Sequence, residues 1–148
     1  MLDAGEAWFL LADGRRARLL VERVRGAALE ERADWTVEIG PEDLYDPQDR
    51  PPRSYDSVGA GRHAMDGGRS LHEAEEEKFL ARIAARIDEA AKHDQLEHLF
   101  VAAPPRALGI LRDRLGKPAQ ARLRASAAKD LLDEDVQKLR KRLTDLMR

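Results

Sequence analysis

Apolar and polar positions along the chain change period several times, and each change marks an element. From Ala7 to Val24 two apolar runs flank Asp13-Gly14, which predicts a β-hairpin. In Trp35-Thr-Val-Glu-Ile39 the alternation puts Trp35, Val37 and Ile39 on one face and Thr36 and Glu38 on the other. This run predicts a third strand that extends the hairpin into an antiparallel meander. From Phe79 the period becomes helical, with Leu80, Ile83, Ala84 and Ile87 on one stripe and a Ser70-x-x-Glu73 capping box upstream. A helix over about 71–92 follows, its early glutamates suited to a helix N-terminus. The run His98 to Ala103 is too short for a helix and reads as a buried strand, parallel to a neighbour because a helix delivers it. Pro105 to Leu115 carries Leu108, Leu111 and Leu115 on one face and stops at Gly116, so it predicts a second helix. Ala121, Leu123 and Ala125 alternate with Arg122, Arg124 and Ser126 as in a strand, although their residue types favour helix. Asp133 is placed to cap a third helix bearing Val136, Leu139, Leu143 and Leu146.

The predicted order is three strands, a long loop, then α-β-α-β-α. It implies a single α/β domain over residues 1–148, with a mixed sheet of about five strands and helices packed on it. The segment 41–69 has neither period. It holds Pro41, Pro47, Pro51 and Pro52, then Gly59, Gly61, Gly67 and Gly68, and it predicts a long exposed loop, a common seat of function.

Composition narrows the chemistry. The 43% hydrophobic content excludes a disordered chain, and the absence of cysteine excludes disulfides, thiolate metal sites and a thiol nucleophile. The first residues are acidic where a signal peptide needs basic ones, and the first apolar run is a strand's length, so a cytoplasmic chain without membrane insertion is expected. Charge is uneven. Residues 1–103 hold 14 Lys and Arg against 22 Asp and Glu, and residues 104–148 hold 12 against 6. A basic C-terminal third is compatible with an anionic partner.

Three groups of candidate residues emerge. In the loop, Arg53, Arg62, His63 and Arg69 stand among glycines that include Gly67 and Gly68, a composition able to hold phosphates. Pro104, Pro105 and Arg106 lie where a parallel strand feeds a helix, a favoured ligand position in α/β sheets, although two prolines remove N–H donors. Arg122, Arg124, Lys129, Lys138, Arg140, Lys141 and Arg142 form a basic patch able to meet RNA phosphates, but this third has no aromatic residue for base stacking. The loop and the basic patch also read as ordinary solvated surface, and Pro104-Pro105-Arg106 as a rigid strand-to-helix turn. Asp13 and Asp130 are the only acids at strand ends suggestive of a two-metal nuclease, and Asp13 is better explained by its turn. The four histidines lack metal-binding spacing, so no metal, cofactor or catalytic residue is expected.

Several strings together resemble the bacterial host attachment protein family, named for a protein required for attachment to host cells. They are Ala12-Asp13-Gly14-Arg15-Arg16-Ala17-Arg18, Asp49 to Ser57 with Gly61-Arg62-His63-Ala64, Val101 to Arg106 with Leu108-Gly109, and Lys129-Asp130-Leu131. The family resembles the middle domain of archaeal and eukaryotic peptide release factors, which implies a ribonuclease-H-like mixed sheet. Gly67-Gly68-Arg69 stands where those factors carry Gly-Gly-Gln, and Arg69 in place of the glutamine argues against peptidyl-tRNA hydrolysis. The resemblance implies a non-catalytic cytoplasmic binding protein, associated with the ribosome or another structured RNA through the 53–69 loop and the basic third. An adaptor for a protein partner in attachment is the alternative, and release-factor-like hydrolysis the third.

Overall fold

The computed structural model describes residues 6–24, 26–39 and 71–146. The expected loop at 41–69 lies outside the described residues, and so does Ser70 of the capping box. The strands are β1 (Ala7–Ala12), β2 (Arg16–Glu22), β3 (Glu30–Glu31), β4 (Val37–Glu38), β5 (His98–Ala102) and β6 (Leu123–Ala127). The helices are α1 (Leu71–Lys92), α2 (Pro105–Arg114), α3 (Lys117–Gln120) and α4 (Val136–Leu146). They form one mixed sheet in the order β3-β2-β1-β5-β6, with β4 also on β2. β1 pairs antiparallel with β2 and parallel with β5, which in turn runs parallel to β6.

All six residues of β1 are buried. An antiparallel strand with one wet face would alternate, so β1 must be covered on both faces. One face of the sheet, with Trp8, Leu10, Leu19, Leu99 and Val101, packs against Phe79, Leu80, Ile83 and Ile87 of α1 and Leu108 and Leu111 of α2. The other face carries Phe9, Leu11, Leu20, Phe100 and Ala102, covered by Leu131, Leu132 and the α4 residues Leu139 and Leu143. Phe9 and Phe100 stack there, with ring centroids 4.9 Å apart. Each fully buried Leu or Phe side chain contributes roughly 1.5–3 kcal/mol.

Four expectations need correction. The third strand, expected over 35–39, is confined to β4, because a 3-10 turn at Ala33–Trp35 takes up Trp35, and the two-residue β3 ahead of that turn also pairs antiparallel with β2. That turn swings Trp35 inward, where its ring meets Trp8 edge-on at 5.5 Å and Arg86 of α1 lies 3.9 Å over it. Asp133 does not cap the last helix. Asp135 does, its Oδ1 accepting the Lys138 N–H at 2.8 Å, while Asp133 reaches back to Arg16. The short α3 follows Gly116, where the sequence pattern predicts only the end of α2. Among the described residues there are six strands and four helices, where about five strands and three main helices were expected. The Asp13-Gly14 hairpin is present, held by the Asp13 carboxylate, which accepts the N–H groups of Arg15 and Arg16 at 2.8 Å each.

Candidate functional site

The parallel strands β1 and β5 end side by side, so their carboxyl edge gathers the 13–16 turn and the Ala103-Pro104-Pro105-Arg106 link. Ile39 is tied to the same edge through its N–H to Arg15 O at 2.8 Å. Ligands favour this edge in open α/β sheets. Here it is closed by ion pairs. Arg106 Nη1 lies 3.3 Å from Glu76 and its Nη2 3.8 Å from Glu77, both on the first turns of α1. Two carboxylates beside Arg106 oppose an anion at the α2 N-terminus, and Pro104 and Pro105 lack N–H donors. Glu76 also lies against Gly14, where an added Cβ would come within 2.8 Å of its carboxyl group.

A second group of charges joins β2 to the approach of α4. Arg16 donates to Asp133 at 2.8 Å, which holds the Asp133 carboxyl below its ordinary value and raises the arginine. Arg18 donates to Leu132 O at 2.6 Å and Glu134 O at 3.0 Å, and grips both Glu31 oxygens at 2.8 and 2.9 Å. Those bonds lower the Glu31 pKa. Glu22, a buried carboxylate on β2, receives Arg140 of α4 at 2.6 Å and the Gly26 N–H at 3.1 Å. Sequence reasoning left these roles unassigned. The available signal was Arg16, Arg18 and Glu22, an even number of residues apart and therefore on one face of a strand that is otherwise apolar.

The predicted basic patch divides. Arg122 is a structural clamp, donating to Leu96 O, Pro118 O and Asp94 at 2.9, 2.9 and 2.7 Å. Arg140 serves Glu22, and Arg142 lies 3.3 Å from Glu134. Arg124, Lys129, Lys138 and Lys141 are exposed and pair with no carboxylate among the described residues. Arg124 Nε donates to His98 Nδ1 at 2.9 Å. Arg53, Arg62, His63, Gly67, Gly68 and Arg69 lie outside the described residues. Asp13 and Asp130 both hold local backbone N–H groups, Asp130 that of Leu132 at 3.2 Å. Among the described residues no three His, Asp or Glu side chains converge on a metal position, and no helix is long and apolar enough to cross a membrane.

A further feature is the β6 edge. No described strand pairs with its outer side. Two clefts flank it, one on each face of the sheet. The first, about 280 Å³, is lined by Leu123 with Arg112, Asp113 and Gln120. The second, about 300 Å³, is lined by Ala127, Lys129 and Leu131 with Arg142 and Asp145 of α4.

A family model described as "protein required for attachment to host cells" matches residues 8–143. The chain belongs to this family. Among curated proteins no match was found. Within the host-attachment match lie β1 from Trp8 on, β2 to β6, α1 to α3, and α4 up to Leu143, so both layers and the β6 edge are part of the family's domain. Two of the strings that suggested host attachment from sequence meet in space, since Arg16 and Arg18 of the first hairpin hold the segment that follows Lys129-Asp130-Leu131.

Proposed function

We propose that this chain is a non-catalytic binding module that serves attachment to host cells by holding a protein partner at the β6 edge of its sheet. The observation that carries the reading is the outer side of β6, paired with no described strand and set between two clefts, in a chain of the host-attachment family. The engagement of Arg106, Arg122, Arg140 and Arg142 with groups of the chain itself adds support, because it withdraws four of the 12 cations of residues 104–148 from a nucleic acid. Removing the gene from the cell that carries it and counting cells bound to host cells tests the reading. Attachment is expected to fall and to return with the intact gene; unchanged attachment overturns it.

Lys129, Lys138 and Lys141, exposed and without described carboxylate partners, favour a second reading in which the α4 face meets phosphates of structured RNA, the ribosome included. The order β3-β2-β1-β5-β6 supports the kinship with release-factor middle domains on which that reading leans. Co-sedimentation with ribosomes at low and high salt, with Lys129, Lys138 and Lys141 replaced together by alanine, separates the two. Salt-sensitive co-migration that the triple variant loses favours RNA, and migration free of ribosomes at both salts removes it. An Arg53, Arg62 and Arg69 triple-alanine variant tests the loop's share in the same experiment.

A further inference from the structure

An edge strand offers a row of main-chain donors and acceptors to any extended chain, and proteins that leave one open use it or blunt it. On β6, Ala127 O accepts the Ala103 N–H at 3.1 Å, so by strand alternation the N–H and C=O of the preceding Ser126 point away from β5. The pairing with β5 shifts register once: Leu99 opposes Leu123 and Phe100 opposes Ala125, leaving Arg124 as an extra residue. The shift has a geometric consequence. Leu123 packs with the core under α1 and α2, whereas Ala125 packs with the core under α4, and Ala127 shares the face of Ala125. Hence the two clefts lie at opposite ends of β6 and on opposite faces. Cross-strand neighbours share a face, so an added strand reaches both clefts only with side chains an odd number of residues apart. Leu123 and Ala127 oppose Leu99 and Ala102, three residues apart on β5, and an added strand in the same register has the same spacing.

Charge identifies the occupant. Arg112 in the first cleft, Arg124 on the strand and Lys129 in the second cleft pair with no described carboxylate. Among the residues that line the clefts, Arg112, Lys129 and Arg142 outnumber the acids Asp113 and Asp145. A second copy meeting this edge would bring the same cations together, a like-charge contact that disfavours self-pairing. We infer that β6 docks an extended acidic segment of a partner protein by strand addition, with two carboxylates three residues apart, one toward Arg112 and one toward Lys129. The inference rests on the partner-binding reading above and adds its mode, register and charge.

The test is titration of the full isotope-labelled chain, followed by amide NMR, with a capped threonine-valine hexapeptide carrying glutamates at its second and fifth positions. The Ser126 amide is expected to shift and to exchange more slowly. Moving the glutamates to two residues apart, or N-methylating the peptide main chain, weakens binding on the order of tenfold. Double charge reversal, Arg112→Glu with Lys129→Glu, transfers the preference to the lysine counterpart of the peptide, a gain that misfolding cannot mimic. Equal binding of the lysine and glutamate peptides by the unaltered chain overturns the inference. So does an unmoved Ser126 amide, or a dimer whose Ser126 amide is protected before peptide is added. If gene removal weakens attachment and the charge-reversed chain restores it fully, the inference fails while the partner-binding reading stands; if gene removal has no effect, the reading fails with it.

Discussion

Arg18 shows why residue type outweighs charge at the joint between β2 and the approach to α4. Its guanidinium reaches two carbonyls, Leu132 O and Glu134 O, and still pairs both oxygens of Glu31. An ammonium has the charge but not the planar fork that serves three partners at once. Arg18→Lys is therefore expected to cost about 1.5–3 kcal/mol, the range of charge-assisted hydrogen bonds, read as a lower midpoint in urea; an unchanged midpoint would show that the carbonyls are satisfied otherwise. The same cluster has an acid signature. Arg18, by its hydrogen bonds first, holds Glu31 below its ordinary value of 4.5. A carboxylate with a depressed folded pKa adds stability that is complete above the unfolded value and is lost as pH falls through the folded one. Melting temperature should drop on acidification below about pH 4.5, and the drop should be shallower in Glu31→Gln. Parallel pH profiles for the two proteins would remove Glu31 from the account.

At the scale of elements, what was legible in the sequence was whatever local pattern alone decides. The stripe Phe79, Leu80, Ile83, Ala84 and Ile87 specifies α1, whose described bounds, Leu71–Lys92, coincide with the expected 71–92. The apolar run of β5 and the Pro105 start of α2 are equally local. Where a distant partner decides, pattern fails. Asp133 and Asp135 both suit a cap, and only Arg16, far away on β2, determines that Asp133 turns to it and leaves the cap to Asp135. Trp35 alternates like a strand residue, yet Trp8 and Arg86 draw it into a turn. The candidate site was less legible than the fold. Arg122 and Arg106 look like free cations in sequence because Asp94, Glu76 and Glu77 are remote, and the openness of β6 depends on a strand order that no local run encodes. Asp88 is a further case. From α1 its carboxylate accepts the Gly116 N–H at 2.7 Å and the Ala119 N–H at 3.2 Å, capping the four-residue α3. An added Cβ on Gly116 would stand 2.7 Å from Asp88 Oδ2. Gly116→Ala should displace that carboxylate and destabilise the chain by about 0.5–2 kcal/mol, the scale of a lost cap, as measured in urea; an unaltered midpoint would mean the aspartate moves aside without loss.

Across the whole molecule the two faces of the sheet are unequally secured. One is covered by α1, α2 and α3, which pack against each other as well as on the strands. The other rests, among the described residues, on Leu29, the Leu131–Leu132 segment and α4, from which Leu139 and Leu143 are buried. Its remaining ties are polar: Arg16 to Asp133, Arg18 to the 132 and 134 carbonyls, and Arg140 to Glu22. A layer held by few apolar side chains opens at a lower free energy than the core, because opening it exposes less apolar surface than global unfolding does. Native-state hydrogen exchange in low denaturant should therefore show the α4 amides exchanging through a separate, lower-energy opening than those of β1 and α1. Leu139→Ala should lower that opening by about 2–5 kcal/mol while changing the gap between β1 and α1 little. Identical exchange free energies in α4 and β1 would make the two layers one cooperative unit. The distinction bears on binding, since α4 supplies Arg142 and Asp145 to one of the clefts beside β6. If the helix opens on its own, Leu139→Ala should weaken an occupant of that cleft while the cleft formed by α2 and α3 keeps its shape, so loss of affinity would track α4 exchange and not global stability.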